Sequence, residues 1–200
     1  MWTGAILAGG RARRLGGLNK AGLTLHPGGA SVLDRQLTRL RRVVDRTIII
    51  ANDAERFGNA GVPVIPDLMP DAGALGALYT AVHAAGTEWT LVMACDMPFV
   101  TEALLGYLVD AGRAADIAIP RTRRGYEPLC ATYSRRCADE MARLIAERRF
   151  KLSEVALIPG LIIREVGPDE LGPFGPSDRL FFNINTPDDY ARAIDLDANS

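Results

Sequence analysis

The residues best suited to chemistry lie in one stretch near the start of the sequence, LAGGRARRLGGLNK, which spans residues 7–20. Glycines and cationic side chains are concentrated there: Gly9, Gly10, Gly16, Gly17, Arg11, Arg13, Arg14 and Lys20. Glycines let backbone N–H groups converge on phosphate oxygens, and planar guanidinium groups bind such oxygens bidentately. The stretch therefore predicts a polyphosphate site. The alternative is a basic surface loop that binds no ligand.

Two common phosphate-binding signatures do not occur in this stretch. It contains neither the GxxxxGK[ST] pattern of P-loop ATPases nor the GxGxxG pattern of dinucleotide-binding dehydrogenases. The stretch directly follows the apolar run 3–7, which we interpret as a strand. Because ligands bind at the carboxyl edge of a parallel α/β sheet, we expect the polyphosphate at that edge.

One aspartate follows a second apolar run, TLVMA at residues 90–94. It is Asp96, in the run Cys-Asp-Met-Pro, where Pro98 prevents the strand from continuing. Mg²⁺ typically binds one or two carboxylates together with phosphate oxygens and water. We therefore expect Asp96 to bind Mg²⁺ beside the polyphosphate. The alternative is that Asp96 only caps the turn after the strand.

Further polar residues follow the other predicted strands. Asp67 comes after the run 62–66, and Asn52 comes after the run 47–51. Gly76 lies in a glycine-containing segment that opens the next helix, where N–H groups and the helix dipole favour anions. We expect these residues at the same sheet edge as Asp96.

Two asparagines occur near the end of the sequence, in the run LFFNINTPDD at residues 180–189. We expect a strand at 180–184, and side chains two residues apart share one face of a strand. Asn183 and Asn185 should therefore lie on one side, near the end of that strand. Thr186 fits the N-cap of a closing helix, with Asp189 as its capping partner. Capping does not explain the two asparagines, which we assign to the site.

The elements that position these residues alternate between short apolar runs and longer amphipathic runs. The first six are strand 3–7, helix 32–44, strand 47–51, helix 75–85, strand 90–94 and helix 102–111. Strands as continuously apolar as TIIIA and TLVMA are covered on both faces. The pattern predicts an α/β protein with a three-layer α/β/α, doubly wound architecture and a mostly parallel, mixed sheet.

The second half of the chain is predicted to mix strand directions. Strands are expected at 117–120, 129–133, 161–166 and 180–184, and helices at 134–148 and 188–194. The segment 167–178 holds three glycines and three prolines and is expected to be a loop. Since 200 residues bury a sizeable core, we expect a single domain across residues 1–200.

Charge and composition argue against several classes of protein. The net charge of −1 gives no overall attraction to nucleic acid or to an anionic membrane. The three cysteines include no CxxC pair, which argues against a disulfide framework and a zinc site. The sequence shows no signal pattern and no membrane-spanning run. We expect a cytoplasmic protein that binds neither nucleic acid nor a membrane.

The N-terminal stretch resembles the signature loop of the molybdenum cofactor guanylyltransferases, a branch of the MobA-like nucleotidylyltransferases, whose usual form is LAGGxxxRMGGxDK. Leu15 and Asn19 stand where methionine and aspartate are usual, and Ala74 stands where proline is usual. The Cys-Asp-x-Pro run around Asp96 and the NxNTP run at 183–187 also match. The resemblance therefore covers nearly the whole chain. Asn19 is left out of the predicted site because the usual carboxylate is missing.

This resemblance implies a Rossmann-like nucleotidyltransferase fold. It also implies Mg²⁺-dependent transfer of GMP from GTP to the terminal phosphate of a molybdopterin-type cofactor, with release of pyrophosphate. The catalytic residues it implies are Arg14, Lys20 and Asp96, with Asp96 as the metal ligand. The binding residues it implies are Leu7, Ala8, Gly9, Gly10, Lys20, Asn52, Asp67, Gly76, Asp96, Asn183 and Asn185. Among them, Asp67 would hold the base and ribose, and Asn52 lies at or one position from an asparagine that touches guanine.

Several alternatives stay open beside this reading. Transfer of CMP to the same cofactor, or of a nucleotide to a sugar phosphate, needs a related site, although those relatives more often carry LAAG than LAGG. A nucleotide sensor without turnover would need neither Asp96 nor the two asparagines. The basic clusters at 121–124 and 148–151 are candidate docks for the acceptor phosphate. Proteins of molybdenum cofactor biosynthesis and molybdoenzyme maturation are further expected partners.

Overall fold

The computed structural model describes residues 1–8 and 22–198, and its described strands form one eight-stranded mixed sheet. The strands are β1 (Trp2–Leu7), β2 (Arg46–Ile50), β3 (Val64–Ile65), β4 (Trp89–Ala94), β5 (Ile117–Thr122), β6 (Gly125–Tyr126), β7 (Cys130–Ser134) and β8 (Ile163–Val166). Their order is β3-β2-β1-β4-β7-β5-β6, and β8 also pairs with β5. The predicted mixed, mostly parallel sheet is confirmed.

The direction of the strands decides which loops meet. Strands β1 to β4 pair in parallel, whereas β7 runs antiparallel between β4 and β5. An antiparallel strand between two others makes those two parallel, so β5 points the same way as β4. The loops after β1, β2, β3, β4 and β5 therefore leave the sheet at one edge.

Seven α-helices accompany the sheet in the described residues. They are α1 (Val32–Leu40), α2 (Gly73–Ala84), α3 (Glu102–Gly112), α4 (Cys137–Ala146), α5 (Pro168–Leu171), α6 (Ser177–Leu180) and α7 (Pro187–Ala198). Helices α1 and α3 pack against one face of the sheet, and α2 and α4 pack against the other. The predicted three-layer arrangement is confirmed.

Alternation along the strands explains why both faces are covered. In β1, Ile6 packs with α1 and α3, while its neighbours Ala5 and Leu7 pack with α2. Successive side chains of a strand point to opposite faces, so a strand without polar positions needs a layer on each side. The continuous apolar runs of β2 and β4 follow the same rule.

The C-terminal helix packs away from the sheet, on the start of α1. A separate cluster joins the two elements: Leu23, Leu25, Val32, Phe99, Phe182, Ile184 and Ala193. The carboxylate of Asp197 also accepts two hydrogen bonds from the Arg35 guanidinium, at 3.0 and 2.8 Å. The first and last helices are thereby held together.

Two predictions for the C-terminal third were wrong. The run 180–184 is no strand, because α6 ends at Leu180 and the following residues leave it without joining the sheet. Phe182 and Ile184 instead bury their apolar side chains against α7. The segment 167–178 is not one loop either, since α5 and the start of α6 lie within it. Pro168 is a first helical residue of α5, where its missing N–H costs no hydrogen bond.

Other predicted boundaries shift by a few residues. Helix α1 stops at Leu40 instead of residue 44, and α4 occupies only Cys137–Ala146 of the predicted 134–148. Arg148 has a φ of 57°, a left-handed conformation that ends the helix. In the described part of the chain, no helix is long and apolar enough to cross a membrane.

Candidate active site

The ends of four parallel strands are level at one edge of the sheet. Leu7 is in register with Ile50 of β2 and with Ala94 of β4, and Ile50 is in register with Ile65 of β3. Hydrogen bonds continue just beyond these ends: Ala8 donates to the Ile50 carbonyl at 2.9 Å, and the Leu7 carbonyl accepts from Cys95 at 3.0 Å. Asn52, Asp67 and Asp96, which follow β2, β3 and β4, are therefore brought to one edge.

Asn52 and Asp67, which were predicted to share this edge, are directly connected. The Asn52 side-chain oxygen accepts a hydrogen bond from the backbone N–H of Asp67 at 2.8 Å. Asn52 is exposed, and its Nδ2 makes no hydrogen bond within the described chain. Two of its donor hydrogens are therefore available to a ligand such as a purine carbonyl.

The Asp67 carboxylate folds back onto its own turn through one oxygen. Oδ1 accepts from the Met69 N–H at 2.9 Å and lies 3.0 Å from the Thr80 hydroxyl of α2. The hydroxyl of Thr80 in turn accepts from the Leu68 N–H at 2.9 Å. These bonds fix the 67–69 turn, and they leave Oδ2 as the Asp67 oxygen without a hydrogen bond to described residues.

Gly76 was predicted to belong to the site, and packing gives a further reason for a glycine at this position. A Cβ at this position would overlap the backbone carbonyl oxygen of Met69. Only glycine therefore lets α2 lie this close to the 67–69 turn. The helix itself starts at Gly73, whose φ of 60° is strained for any other residue type.

Asp96 lies just past the end of β4, half-buried, in the turn that leads into Met97 and Pro98. Its backbone carbonyl accepts a hydrogen bond from the Ile184 N–H at 3.0 Å. This bond brings the C-terminal segment to the edge where the strands end. The asparagine pair was predicted to lie near Asp96, and the backbone hydrogen bond between Ile184 and Asp96 places the segment that carries the pair there.

Asn183 and Asn185 flank the residue that makes this contact, although they do not share a strand face as predicted. The Asn183 amide donates to the Phe181 carbonyl at 3.1 Å. The Asn185 N–H donates to the Asp189 carboxylate at 2.9 Å. The predicted helix cap is confirmed, because Thr186 Oγ1 accepts from the Asp189 N–H at 3.1 Å while the Asp189 carboxylate accepts from the Thr186 N–H.

The β5–β6 hairpin reaches the same edge from the far side of the sheet. Arg124 donates to the Phe181 carbonyl at 3.5 Å, the same oxygen that Asn183 binds. Burial raises the pKa of the Glu127 carboxyl, and this effect outweighs the opposing charge of Arg124 and the hydrogen bond from Thr122. Of the predicted basic cluster, Arg124 is the residue joined to the asparagine segment.

Two of the other basic candidates pair with carboxylates elsewhere. Arg121 is paired with Glu165 at 2.8 Å, and Arg149 contacts Glu147 and Glu154. Gly9, Gly10, Arg14 and Lys20, with the rest of residues 9–21, lie outside the described residues. Their predicted roles stay predictions.

Cys130 and Cys137 have packing roles. Cys130 and Cys137 are fully buried, and burial raises the pKa of the Cys137 thiol to about 12. A thiol with such a pKa is neutral near pH 7 and is a poor nucleophile. Cys130 is likewise a core residue, because it is completely buried.

The carboxylates of Asp67 and Asp96 at this edge are hard oxygen ligands, which suit Mg²⁺ better than a soft metal. Within residues 1–8 and 22–198, no group of three or more His, Cys, Asp or Glu side chains is arranged to hold a metal ion. Mg²⁺ keeps several waters and uses substrate phosphates as ligands, so it requires only one or two protein carboxylates. The oxygen of Asp96 meets that requirement.

Two residues whose side chains bind the backbone at this edge were not predicted from the sequence. Gln36 of α1 donates to the carbonyls of Ala94 and Met97, at 2.9 and 3.1 Å. Arg39, one helical turn later, donates to the carbonyls of Pro98 and Val100. The sequence pattern could have indicated Gln36, because it occupies an inward position of the apolar stripe of α1 where a hydrophobic residue is expected.

The chain is similar to known proteins over nearly its whole length. The chain is 32% identical over 192 residues to a molybdenum cofactor guanylyltransferase of Desulfosudis oleivorans, covering 96% of this chain and 93% of that protein. It is 33% identical to a probable molybdenum cofactor guanylyltransferase of Pelotomaculum thermopropionicum, covering 99% and 94%.

A solved structure and a family profile also match most of the chain. The crystal structure of a molybdopterin-guanine dinucleotide biosynthesis protein A from Archaeoglobus fulgidus superposes with a TM-score of 0.81 at 28% identity, covering 99% of this chain and 100% of that one. The profile of the MobA-like NTP transferase domain matches residues 4–155. This match spans β1 to β7 and includes Asn52, Asp67 and Asp96, so the chain belongs to the family of MobA-like NTP transferase domains.

Proposed function

We propose that this protein transfers GMP from GTP to the terminal phosphate of a molybdopterin-type cofactor. A phosphate oxygen of the acceptor forms a new bond to the α-phosphorus of GTP. The bond between the α-phosphorus and its bridging oxygen breaks, and pyrophosphate leaves with that electron pair. The product is a guanine dinucleotide of the cofactor. The names of the two relatives, which are guanylyltransferases of this cofactor, support both substrates.

One observation supports the proposal most directly: the hydrogen bond from Ile184 to Asp96 joins two halves of a transfer site. On one side, Asn52 and Asp67 present an amide and a carboxylate oxygen suited to a base and a ribose. On the other side, Asn183 and Arg124 meet at the Phe181 carbonyl, where their amide and guanidinium donors suit a phosphate. A donor nucleotide and an anionic acceptor would then meet near Asp96.

Asp96 would hold the Mg²⁺ ion, together with the phosphates of the nucleotide. The ion supplies polarisation of the transferred phosphate and neutralisation of the leaving pyrophosphate. The protein groups orient the two substrates and exclude alternative geometries, and this positioning accounts for a large part of the rate in phosphoryl-type transfers. An acceptor phosphate is already ionised near neutral pH, so no general base is required for its attack.

The test is product formation from purified components. The protein is incubated with Mg²⁺, the molybdenum cofactor as acceptor, and GTP, CTP, ATP or UTP in separate reactions, and dinucleotide and pyrophosphate are measured. We expect both products with GTP alone, and none when the acceptor is omitted or the metal is chelated. Product with CTP would assign the cytidylyl reaction instead. GTP binding without pyrophosphate release, with this acceptor or with sugar phosphates, would indicate a nucleotide sensor.

A further inference from the structure

The segment that carries Asp96 leaves the sheet and loses the hydrogen bonds of the β ladder. Its backbone carbonyls must find other donors, because buried carbonyl groups are rarely left unpaired. Four of them, at Ala94, Met97, Pro98 and Val100, are bound by Gln36 and Arg39. These two side chains lie three residues apart, on one face of α1.

Gln36 is a polar residue at a fully buried position of α1, where an apolar residue is usual. It has no exposed surface, and it lies among the inward-facing residues Leu33, Leu37 and Leu40 of α1. Both hydrogens of its amide nitrogen are used, whereas its amide oxygen is buried without a hydrogen-bond partner in the described part of the chain. Burying an amide with an unpaired acceptor is unfavourable, so packing alone would favour an apolar residue here.

The two carbonyls that Gln36 binds lie on either side of Cys95 and Asp96. The peptide groups between them are also held from elsewhere: Leu7 accepts from the Cys95 N–H, and Asp96 accepts from the Ile184 N–H. These bonds hold the backbone torsions of Asp96, and the backbone torsions set where its Cβ, and so the base of its side chain, points. We propose that Gln36, supported by Arg39, is a positioning residue that sets the Asp96 carboxylate for the metal.

This inference rests on the proposed function only in assigning the metal to Asp96. Residues that orient a metal ligand affect metal affinity or activity by roughly 10–100-fold when they are removed. Gln36 is fully buried and binds the backbone carbonyls on either side of Cys95 and Asp96. Its loss should therefore weaken the metal-dependent step while leaving the metal-free binding of GTP unchanged.

The test compares Gln36→Met with Leu37→Met, since both substitutions preserve volume at buried, adjacent positions of α1. Mn²⁺ binding with a non-hydrolysable GTP analogue is followed by enhancement of water proton relaxation, which distinguishes the protein-bound complex from free Mn²⁺–nucleotide. We expect Gln36→Met to raise the Mn²⁺ dissociation constant, and the Mg²⁺ concentration for half-maximal rate, about tenfold. Leu37→Met should leave both values as in the wild type. Equal metal affinity in the two variants would overturn the proposal.

Arg39, which is half-buried, supplies a second pair of variants. Arg39→Lys keeps a charged donor for the Pro98 and Val100 carbonyls, and Arg39→Met keeps only the apolar stem. We expect weaker Mn²⁺ binding in Arg39→Met and partial recovery in Arg39→Lys. Identical metal affinity in both variants and the wild type would contradict the role of Arg39. If Gln36→Met did not fold, this result would overturn the proposal.

The outcomes separate this inference from the proposed function. A wild-type protein that makes no product but binds Mn²⁺ with the analogue, and loses affinity in Gln36→Met, would retain the positioning role and lose the proposed reaction. A wild-type protein that makes product, with unchanged metal affinity in Gln36→Met, would retain the reaction and lose the positioning role.

Discussion

The backbone N–H of Ile184 donates to the carbonyl oxygen of Asp96 at 3.0 Å, although the two residues are 88 positions apart in the chain. The carbonyl that accepts this bond belongs to the residue at the end of the central strand β4. The residues on either side of the donor are the two asparagines. A contact between two backbone atoms therefore sets how far the C-terminal segment lies from the predicted metal ligand.

Replacing the carboxylate of Asp96 should abolish most turnover. Asp96→Asn keeps the size of the side chain but removes the charge that binds Mg²⁺, and we expect pyrophosphate release to fall by about 10²-fold or more. Circular dichroism and the melting temperature should stay close to the wild type. The control is Asp110→Asn, an exposed carboxylate on α3. Wild-type turnover in Asp96→Asn would refute the metal assignment.

Removing the Asn52 side chain should weaken nucleotide binding more than it slows chemistry. Asn52→Ala loses the hydrogen bond to the Asp67 N–H and the free amide donors. We expect the KM for GTP to rise about tenfold, equivalent to ~1.4 kcal/mol, with kcat little changed, because the contact is present before and during transfer. Steady-state kinetics would measure this. Exposed Asn59 provides the matched control, Asn59→Ala, and a large loss of kcat at constant KM would contradict the assignment.

A methyl group at position 76 should destabilise the protein and loosen the turn that holds Asp67. In Gly76→Ala, the new Cβ overlaps the Met69 carbonyl, and overpacking of this kind costs about 1–3 kcal/mol. Urea denaturation should show this loss, and the KM for GTP should rise. Gly106→Ala, in α3, is the control because its Cβ would find the nearest atom 3.8 Å away. That variant should be neutral or stabilised by about 0.5–1 kcal/mol. Equal stability of the two variants would argue against the close packing.

A buried carboxylate at the opposite edge of the sheet should make stability depend on pH. Burial alone would raise the pKa of Asp116, but hydrogen bonds from the Ile162 N–H and the Ser134 hydroxyl, and the charge of Arg136, outweigh it and hold the pKa below its ordinary 3.8. A lowered carboxyl pKa gives stability that is present above the ordinary pKa and is lost as the pH falls through the lowered one.

We therefore expect the free energy of unfolding to fall on acidification below about pH 4, and we expect Asp116→Asn to reduce that slope. At neutral pH the variant should lose about 1–3 kcal/mol, since an amide cannot accept all of these bonds. Urea denaturation as a function of pH would measure both effects. Asp139→Asn, an exposed site on α4, is the control. An unchanged pH dependence in Asp116→Asn would mean that other carboxylates carry the acid transition.

Sequence patterns predicted the layers well because they depend on burial alone. The runs TIIIA and TLVMA became β2 and β4, whose side chains are covered on both faces. Polar residues directly after such strands had to lie at the edge, which is why Asn52, Asp67 and Asp96 could be grouped before their contacts were known. The resemblance then supplied GTP and the molybdopterin-type acceptor, which no pattern of burial contains.

The errors share a physical cause. The apolar residues of LFFNI suggested a strand, but Phe182 and Ile184 are buried by α7, a partner that local periodicity does not reveal. The prolines of segment 167–178 suggested a loop, although Pro168 is well placed at a helix start. Gln36 was overlooked because it lies within a correctly predicted helix, and its meaning depends on carbonyls about 60 residues away.

The docking of α7 on α1 has a consequence for the order in which the molecule is made. Strands β1 to β4 and helices α1 to α3 lie within residues 2–112, whereas the cluster that buries Phe182 and Ile184 against α7 includes Ala193. Domains begin to fold during synthesis from the N-terminus. The residues proposed to bind the nucleotide are therefore synthesised before Asn183 and Asn185, and the segment that carries the two asparagines can be held in place only after α7 has left the ribosome.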